Sequence, residues 1–348
     1  MSNSSFLLPF FLTPLSWVYG IGVSLRGWLY DVGVFSSYES SLPVVSIGNV
    51  TAGGNGKTPL CLLVAQELRA RGFSPVILSR GYGGRTRGPK RVYHSDTPAS
   101  VGDEAILMFQ SSVAPVYVAR RRADGAQVIE RDQAGDVIVL DDGFQHRALA
   151  RDVDIVSVNA GSEDAVAEFC AGRLLPLGRF RERRTKALSR ADIVVISERA
   201  VSEDSSGEGI DGRLLAVLPS SVKVYRSTLE ADGVRFIHSS KALSPTEVVA
   251  FAAIANPEGF FTSLERLGFA VRDRVQFRDH HAFTEEDLQK LLTRAGQLPL
   301  VCTAKDAVKV NRLTASVRSH VAALHVRAKV LPSDAFATQI ARMVKSKR

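Results

Sequence analysis

One stretch narrows the folds open to this chain: Gly48-Asn49-Val50-Thr51-Ala52-Gly53-Gly54-Asn55-Gly56-Lys57-Thr58-Pro59. It follows the apolar run Val44-Val45-Ser46-Ile47 and precedes a helical pattern that begins at Leu60. Strand, glycine-rich loop and helix in that order make a phosphate-gripping loop, in which successive backbone N–H groups turn inward onto phosphate oxygens. Thr51, Ala52, Gly53, Gly54, Asn55, Gly56, Lys57 and Thr58 are the expected nucleotide-binding residues. Lys57 reaches the outer phosphates, and the Thr58 hydroxyl is placed for Mg²⁺. The generic motif asks for glycine five residues before Gly56, where this chain has Thr51.

A chain of 348 residues is long enough for about two domains with ordinary cores. The net charge of +8 suits anionic partners such as nucleotide phosphates, a phosphorylated substrate or acidic lipid head groups. Cys61, Cys170 and Cys302 lie far apart and form no C-x-x-C pair, which argues against a disulfide framework or a zinc site and fits a reducing compartment. The basic clusters lack interleaved aromatics or a recognisable module, so no nucleic-acid partner is expected.

Residues 1–25 carry no charged side chain and are mostly apolar from Phe6 to Leu25. A secretory signal would need a basic n-region, absent here. The segment reaches the ~20 residues that span a bilayer, although Pro9, Pro14, Gly20 and Gly22 make it a poor straight helix. It is expected to seek the membrane, as one span or as an interfacial helix; a helix buried against the domain is the plainer alternative.

Beyond the loop, continuous apolar strands alternate with helical patterns: Pro75–Leu78, Val116–Ala119, Asp136–Leu140, Asp154–Val158 and Asp192–Ile196. That rhythm predicts an α/β fold, a P-loop NTPase domain with a mostly parallel sheet covered on both faces. Val222–Tyr225 and Val234–Ile237, with Asp232-Gly233 between them, predict a two-stranded β connection. The βα rhythm then resumes in a smaller α/β domain, where Thr284 and Asp287 resemble a helix N-cap. The expected division is a membrane-associated N-terminal helix over 1–30, the nucleotide-binding domain over 31–221, the β linker over 222–239 and the smaller domain over 240–348.

Asp141-Asp142 ends a buried strand where P-loop proteins place a magnesium-binding carboxylate, although Asp-Gly also marks a surface turn. Gln145 and His146 add polar groups at that edge, and the flexible loop Ser79–Gly84 carries Arg80. Gly102-Asp103-Glu104 supplies carboxylates at a loop-to-helix junction; by spacing alone Asp103 suits a helix cap better than a catalytic base. Asp279-His280-His281 offers a histidine that could orient such a base, without the spacing of a metal motif. The stretch 172–184 packs Arg173, Arg179, Arg181, Arg183 and Arg184 around a Pro/Gly turn, apt for phosphate or simply solvated.

Taken in order, these blocks resemble one family, the tetraacyldisaccharide 4′-kinases (lipid A 4′-kinases) of Gram-negative bacteria. The resemblance runs from the apolar N-terminus through the glycine-rich loop, Ser79-Arg80-Gly81-Tyr82-Gly83, Gly102-Asp103-Glu104 and Asp141-Asp142-Gly143-Phe144-Gln145-His146. It continues through Leu175-Pro176-Leu177-Gly178 with Arg181-Glu182, Ala255-Asn256-Pro257 with Phe260-Phe261, Asp279-His280-His281 and Thr303 with Lys305-Asp306. Thr51 is how this family writes its loop. The resemblance implies a kinase that uses ATP and Mg²⁺ to phosphorylate the 4′-hydroxyl of a tetraacylated glucosamine disaccharide 1-phosphate, giving lipid IVA. It further implies work among membrane lipids at the cytoplasmic face of the inner membrane, with no obligatory protein partner. Carried onto this sequence, it makes Asp103 the base with His280 as its partner, and Thr58, Asp141 and Glu104 the metal ligands. It makes Arg80, Asp142, His146, Arg173, Arg181 and Glu182 candidates for substrate contact.

Two rival readings keep the loop but not the transfer. A nucleotide-hydrolysing switch or maturation factor often reads guanine with Asn-Lys-x-Asp, which does not occur; Thr303-Ala304-Lys305-Asp306 has the wrong spacing. A membrane adaptor with a relict loop would have no need of nucleotide.

Overall fold

Every residue of the run that leads into the glycine-rich loop is buried, because its strand, β1 (Val44–Gly48), lies inside the sheet with neighbours on both edges. The structure is a computed structural model. It describes residues 4–53, 56–198, 211–279, 281–314 and 318–347, with only the backbone course for 4–11. The strands that follow are β2 (Pro75–Ser79), β3 (Lys90–Arg91), β4 (Val116–Val118), β5 (Val137–Asp141), β6 (Val153–Asn159) and β7 (Ile193–Glu198). The second half adds β8 (Lys223–Phe236), β9 (Glu247–Ala252), β10 (Ala270–Gln276), β11 (Leu300–Thr303) and β12 (Val321–Leu331).

All twelve strands join one sheet in the order β10-β9-β11-β12-β8-β7-β6-β1-β5-β2-β4-β3. Its pairs are parallel except β8 with β12 and β3 with β4. Parallel strands need crossovers that cover the faces, so their side chains are buried on both sides and read as unbroken apolar runs. The helix Lys57–Ala70 buries Leu60, Cys61, Val64, Ala65 and Leu68, the stripe that helical spacing gives one face. Two separate apolar clusters, built around Phe251 with Leu288 and around Phe261 with Leu264, form the core of the second lobe.

The two-stranded connection between the lobes takes a different second strand from the one expected. Asp232-Gly233 does not turn the chain; it lies inside β8, which runs unbroken from Lys223 to Phe236. The partner strand is β12, with Val234 opposite Leu324 and Ala231 opposite Val326. Two residues thus face the single residue His325, a bulge that Gly233 accommodates at φ 93°. A second difference follows from β12. The helix after it, Ser333–Lys345, turns back onto the nucleotide-binding half, where Phe336, Ile340 and Val344 join the cluster of Val64, Leu68 and Val153.

At the other terminus one helix, Ser4–Asp31, does form. Among the described residues no helix is long and apolar enough to cross a membrane, so the expectation of a span is not supported. The described part of this helix packs its inner face against the rest of the chain. Small and polar residues are spent on packing: the Ser16 hydroxyl donates to the Leu174 carbonyl (3.1 Å), the Tyr19 hydroxyl donates to the Arg181 carbonyl (2.9 Å), and Gly20 lies against Leu174. Its outer face exposes Leu15, Trp17, Val18, Ile21, Leu25 and Trp28.

Candidate active site

In register, Ile47 of β1 stands beside Asp141 of β5, and Gly48 beside Val156 of β6. The glycine-rich loop therefore leaves the sheet at its carboxyl edge next to the Asp141-Asp142 pair, the edge where open α/β sheets hold ligands. Gly48 is required there: a Cβ would stand 2.5 Å from Phe144 Cβ and 2.9 Å from its backbone nitrogen. Gly56 caps the following helix at φ 67°, left-handed backbone that glycine adopts without strain. Gly54 and Asn55 lie outside the described residues.

Lys57 is held by two acceptors. Its ammonium makes an ion pair with Asp142 at 2.9 Å and donates to Asn49 Oδ1 at 3.2 Å. Asn49 is fully buried and its amide donates to the Gly53 carbonyl (3.3 Å), tying lysine, loop and strand end together. Asp142 itself sits at φ 48°, an uncommon conformation for a non-glycine that costs on the order of 1 kcal/mol and recurs at functional sites. Arg181 approaches the same carboxylate at 3.5 Å and donates to Gln145 Oε1 at 3.3 Å. The arginine loop flanks the phosphate loop directly, since Ala52 N donates to the Arg179 carbonyl (2.8 Å) and Arg181 N to the Val50 carbonyl (2.9 Å). Glu182 is taken by Arg190, which bonds both its oxygens at 2.9 and 3.1 Å. Arg173 and Arg80 are exposed at the rim.

The two neighbouring aspartates behave oppositely. Burial is the largest influence on both. For Asp142 the cations Lys57 and Arg181 outweigh it and hold the carboxyl below its ordinary range. For Asp141 burial combines with the charge of Asp142 to push the group up to about 6, against the Ser79 hydroxyl, which donates to it at 2.9 Å, and the charges of Lys57 and Arg122. Arg122, fully buried, donates to the Ala119 carbonyl (2.8 Å) and to the Asp141 carbonyl (3.3 Å); burial brings its guanidinium down to about 10. His146 is pushed down to about 4 by burial and then by Arg122 and Arg80, so it stays neutral near pH 7.

These donors fit a hard divalent cation. Two adjacent carboxylates, one buried and reluctant to ionise without a cation, face the loop lysine, and Thr58 stands in the first turn of the helix that follows. Among the described residues no three His, Cys, Asp or Glu converge on one metal position. Mg²⁺ needs no such cage, since it binds through one or two carboxylates together with phosphate oxygens.

Asp103 is not the cap that its spacing suggests. Gly102 holds the N-cap position at φ 95°, and Asp103 opens the helix Asp103–Gln110. Gly102 packs so closely on the Arg80–Gly84 loop that a Cβ would lie 2.3 Å from the Tyr82 carbonyl oxygen. The helix Ala304–Val310 of the second lobe packs against Asp103–Gln110. It brings Lys305 to 2.8 Å from Glu104 and Lys309 to 3.8 Å from Asp103. His280 lies outside the described residues. Its neighbour His281 is bonded to Asp287 (3.0 Å), within the capping box that Thr284 and Asp287 form, as expected.

Sequence reasoning missed Asn49, Ser79, Arg122 and Lys309. Each touches the site only through the fold. The one local hint was that Asn49 and Ser79 immediately follow or end buried strands.

Comparison with known proteins gives one consistent answer. The family model described as tetraacyldisaccharide-1-P 4′-kinase (LpxK) matches residues 8–345. The tetraacyldisaccharide 4′-kinase of Aeromonas salmonicida is 38% identical over 299 residues, covering 86% of this chain and 83% of the relative. That of Parvibaculum lavamentivorans is 37% identical over 339 residues, covering 95% and 91%. The crystal structure of LpxK from Aquifex aeolicus in complex with ATP superposes with a TM-score of 0.77 at 26% identity, over 97% of this chain and 99% of that one. With a phosphate loop, a carboxylate pair at its strand edge and relatives matched over nearly its whole length, this chain belongs to the tetraacyldisaccharide 4′-kinase family.

Proposed function

We propose that this chain transfers the γ-phosphate of ATP to the 4′-hydroxyl of a tetraacyldisaccharide 1-phosphate, in lipid A biosynthesis. The observation that carries this reading is Lys57 held between Asn49 and Asp142 at the carboxyl edge of the sheet, within a chain matched to this kinase family along its length. The loop amides and Lys57 bind the nucleotide phosphates; Lys57 moves from Asp142 toward the outer phosphate, and Arg181 keeps that carboxylate paired. Thr58 and Asp141 would hold Mg²⁺, which would supply charge neutralisation on the phosphates. Glu104 would have to release Lys305 to reach a metal.

Asp103 accepts the proton of the attacking hydroxyl, with His280 as its partner. The arginine loop 172–184 and Arg80 grip the anionic sugar, and closure of the two lobes excludes water, which otherwise competes as phosphoryl acceptor. The N-terminal helix lays Leu15, Trp17, Val18, Ile21, Leu25 and Trp28 in the head-group region, at the cytoplasmic face of the inner membrane. Its inner face rests on the carbonyls of Leu174 and Arg181, so the anchor and the arginine loop form one surface toward a substrate that stays in the bilayer.

The test is purified protein in detergent with labelled ATP, Mg²⁺ and the lipid acceptor. Label on the lipid, lost in Lys57→Ala, is the expected result. ATP hydrolysis without labelled lipid would favour the switch reading and overturn this one.

A further inference from the structure

The carboxylates of the first lobe are met by a cation set from the second. Lys305 and Lys309 are four residues apart on the helix Ala304–Val310, hence on one face of it. That face lies against Asp103 and Glu104. Lys309 is not a solvated surface lysine: it is 9% exposed and lies over the Phe283 ring at 5.9 Å.

What holds it is Asp306, which has no exposed surface. One Asp306 oxygen accepts from Ala253 N (3.0 Å), just past the end of β9, and from the Thr303 hydroxyl (2.8 Å) at the end of β11. The other accepts from Lys309 at 3.3 Å. A buried carboxylate fixed to two strand ends thus fixes the lysine, and the lysine reaches across the lobe boundary to Asp103. Burying such a pair costs desolvation that apolar residues would avoid, so its retention is weak support for stability alone.

Building on the kinase reading, in which Asp103 is the base, we infer that Lys309 is a positioning residue that aims Asp103 from the opposite lobe, with Asp306 as its anchor. Lys309 stands 3.8 Å from Oδ2 of Asp103, across the lobe boundary. Lys305 fixes the same helix to Glu104. The base is therefore correctly aimed only when the lobes are apposed.

The experiment measures transfer to the lipid for Lys309→Met, Lys309→Arg, the double variant Asp306→Asn/Lys309→Met, and each lysine change in an Asp103→Asn background. Lys309→Met is expected to lower kcat by roughly 10- to 100-fold with the KM for ATP changed by no more than about twofold, the scale of a base misplaced by about 1 Å. Lys309→Arg restores part of the loss. Lys309→Met leaves Asp306 buried without its cation and can impair folding, so the double variant, which removes both charges, decides the matter. A folded double variant that remains slow supports the inference; one that regains wild-type kcat overturns it. In the Asp103→Asn background Lys309→Met should cost little more, because residues that act as a unit are not additive. The same loss in both backgrounds would show that Lys309 acts elsewhere. If the wild-type protein labels no lipid, the kinase reading fails first and this inference falls with it, an outcome distinct from an active wild type indifferent to Lys309.

Discussion

Asp141→Asn should make the metal-free protein more stable while weakening its use of Mg²⁺. The carboxylate is 6% exposed and stands beside the charge of Asp142; burial first, and that charge second, lift it from 3.8 to about 6. A shift of about two units at ~1.4 kcal/mol each is a penalty near 3 kcal/mol at neutral pH. The sign follows from proton binding. The folded state holds this proton more tightly than the unfolded chain, so the stability it contributes is full below pH 3.8, is lost as pH rises to about 6, and does not return above that. Asparagine carries no charge to desolvate, and its side-chain oxygen still accepts from the Ser79 hydroxyl. Its buried amide lacks an assured acceptor, which costs about 1 kcal/mol or more. The net gain is about 1–2 kcal/mol, or roughly 2 °C in Tm for a chain of this size at ~2.1 cal/mol/K per residue. Urea unfolding of both proteins in EDTA from pH 4 to pH 8 provides the assay. The gap should open between pH 4 and 6 and stay constant above. A variant less stable than wild type at pH 8, or a gap independent of pH, would refute the reasoning. With Mg²⁺ and ATP present the gap should shrink, because the wild type, which keeps both proposed metal ligands, binds MgATP more tightly and gains more stability from it.

Three further outcomes are expected. Asp103→Ala should lower lipid phosphorylation by about 10²-fold or more, the range of a lost general base, while calorimetric ATP affinity is unchanged; retained activity would remove Asp103 from that role. His146, pushed down to about 4 by burial and then by Arg122 and Arg80, contributes stability that is present above its ordinary 6.5 and is lost as pH falls toward 4. His146→Gln should flatten that stretch of the stability profile, and an NMR titration of His146 with a midpoint above pH 6 would contradict the assignment. Trp17→Glu with Trp28→Glu should weaken flotation with anionic vesicles by roughly tenfold or more per site, from the ~1.5–3 kcal/mol of burying a large apolar side chain. Activity on detergent-dispersed lipid should be nearly unchanged, and equal flotation of variant and wild type would count against the helix as the anchor.

Some of this molecule is legible from the chain because it is local. The glycines that shape the phosphate loop, the apolar runs of the parallel strands and the Thr284/Asp287 capping box depend on neighbours a few residues away. Local backbone and burial preferences make them readable without knowledge of the distant partner. The family's ordered blocks are likewise written along the chain. Where sequence spacing misled, the partner was distant. Asp232-Gly233 carries the signature of a hairpin turn, yet β8 continues through it because β12 supplies its pairing partner, with Val234 opposite Leu324. Asp103 carries the signature of a cap, yet the close contact of Gly102 with Tyr82 puts glycine at that position.

Residue order alone places a phosphate loop between strand and helix and a carboxylate pair at a strand end. Those features follow from backbone geometry and side-chain type. Which aspartate holds its proton more tightly is set in three dimensions, since Asp141 and Asp142 are adjacent in sequence and differ in burial and in the cations that face them. The tertiary structure likewise decided that Lys305 and Lys309 meet Glu104 and Asp103, because electrostatic partners are chosen by distance in space and burial, which no local pattern records.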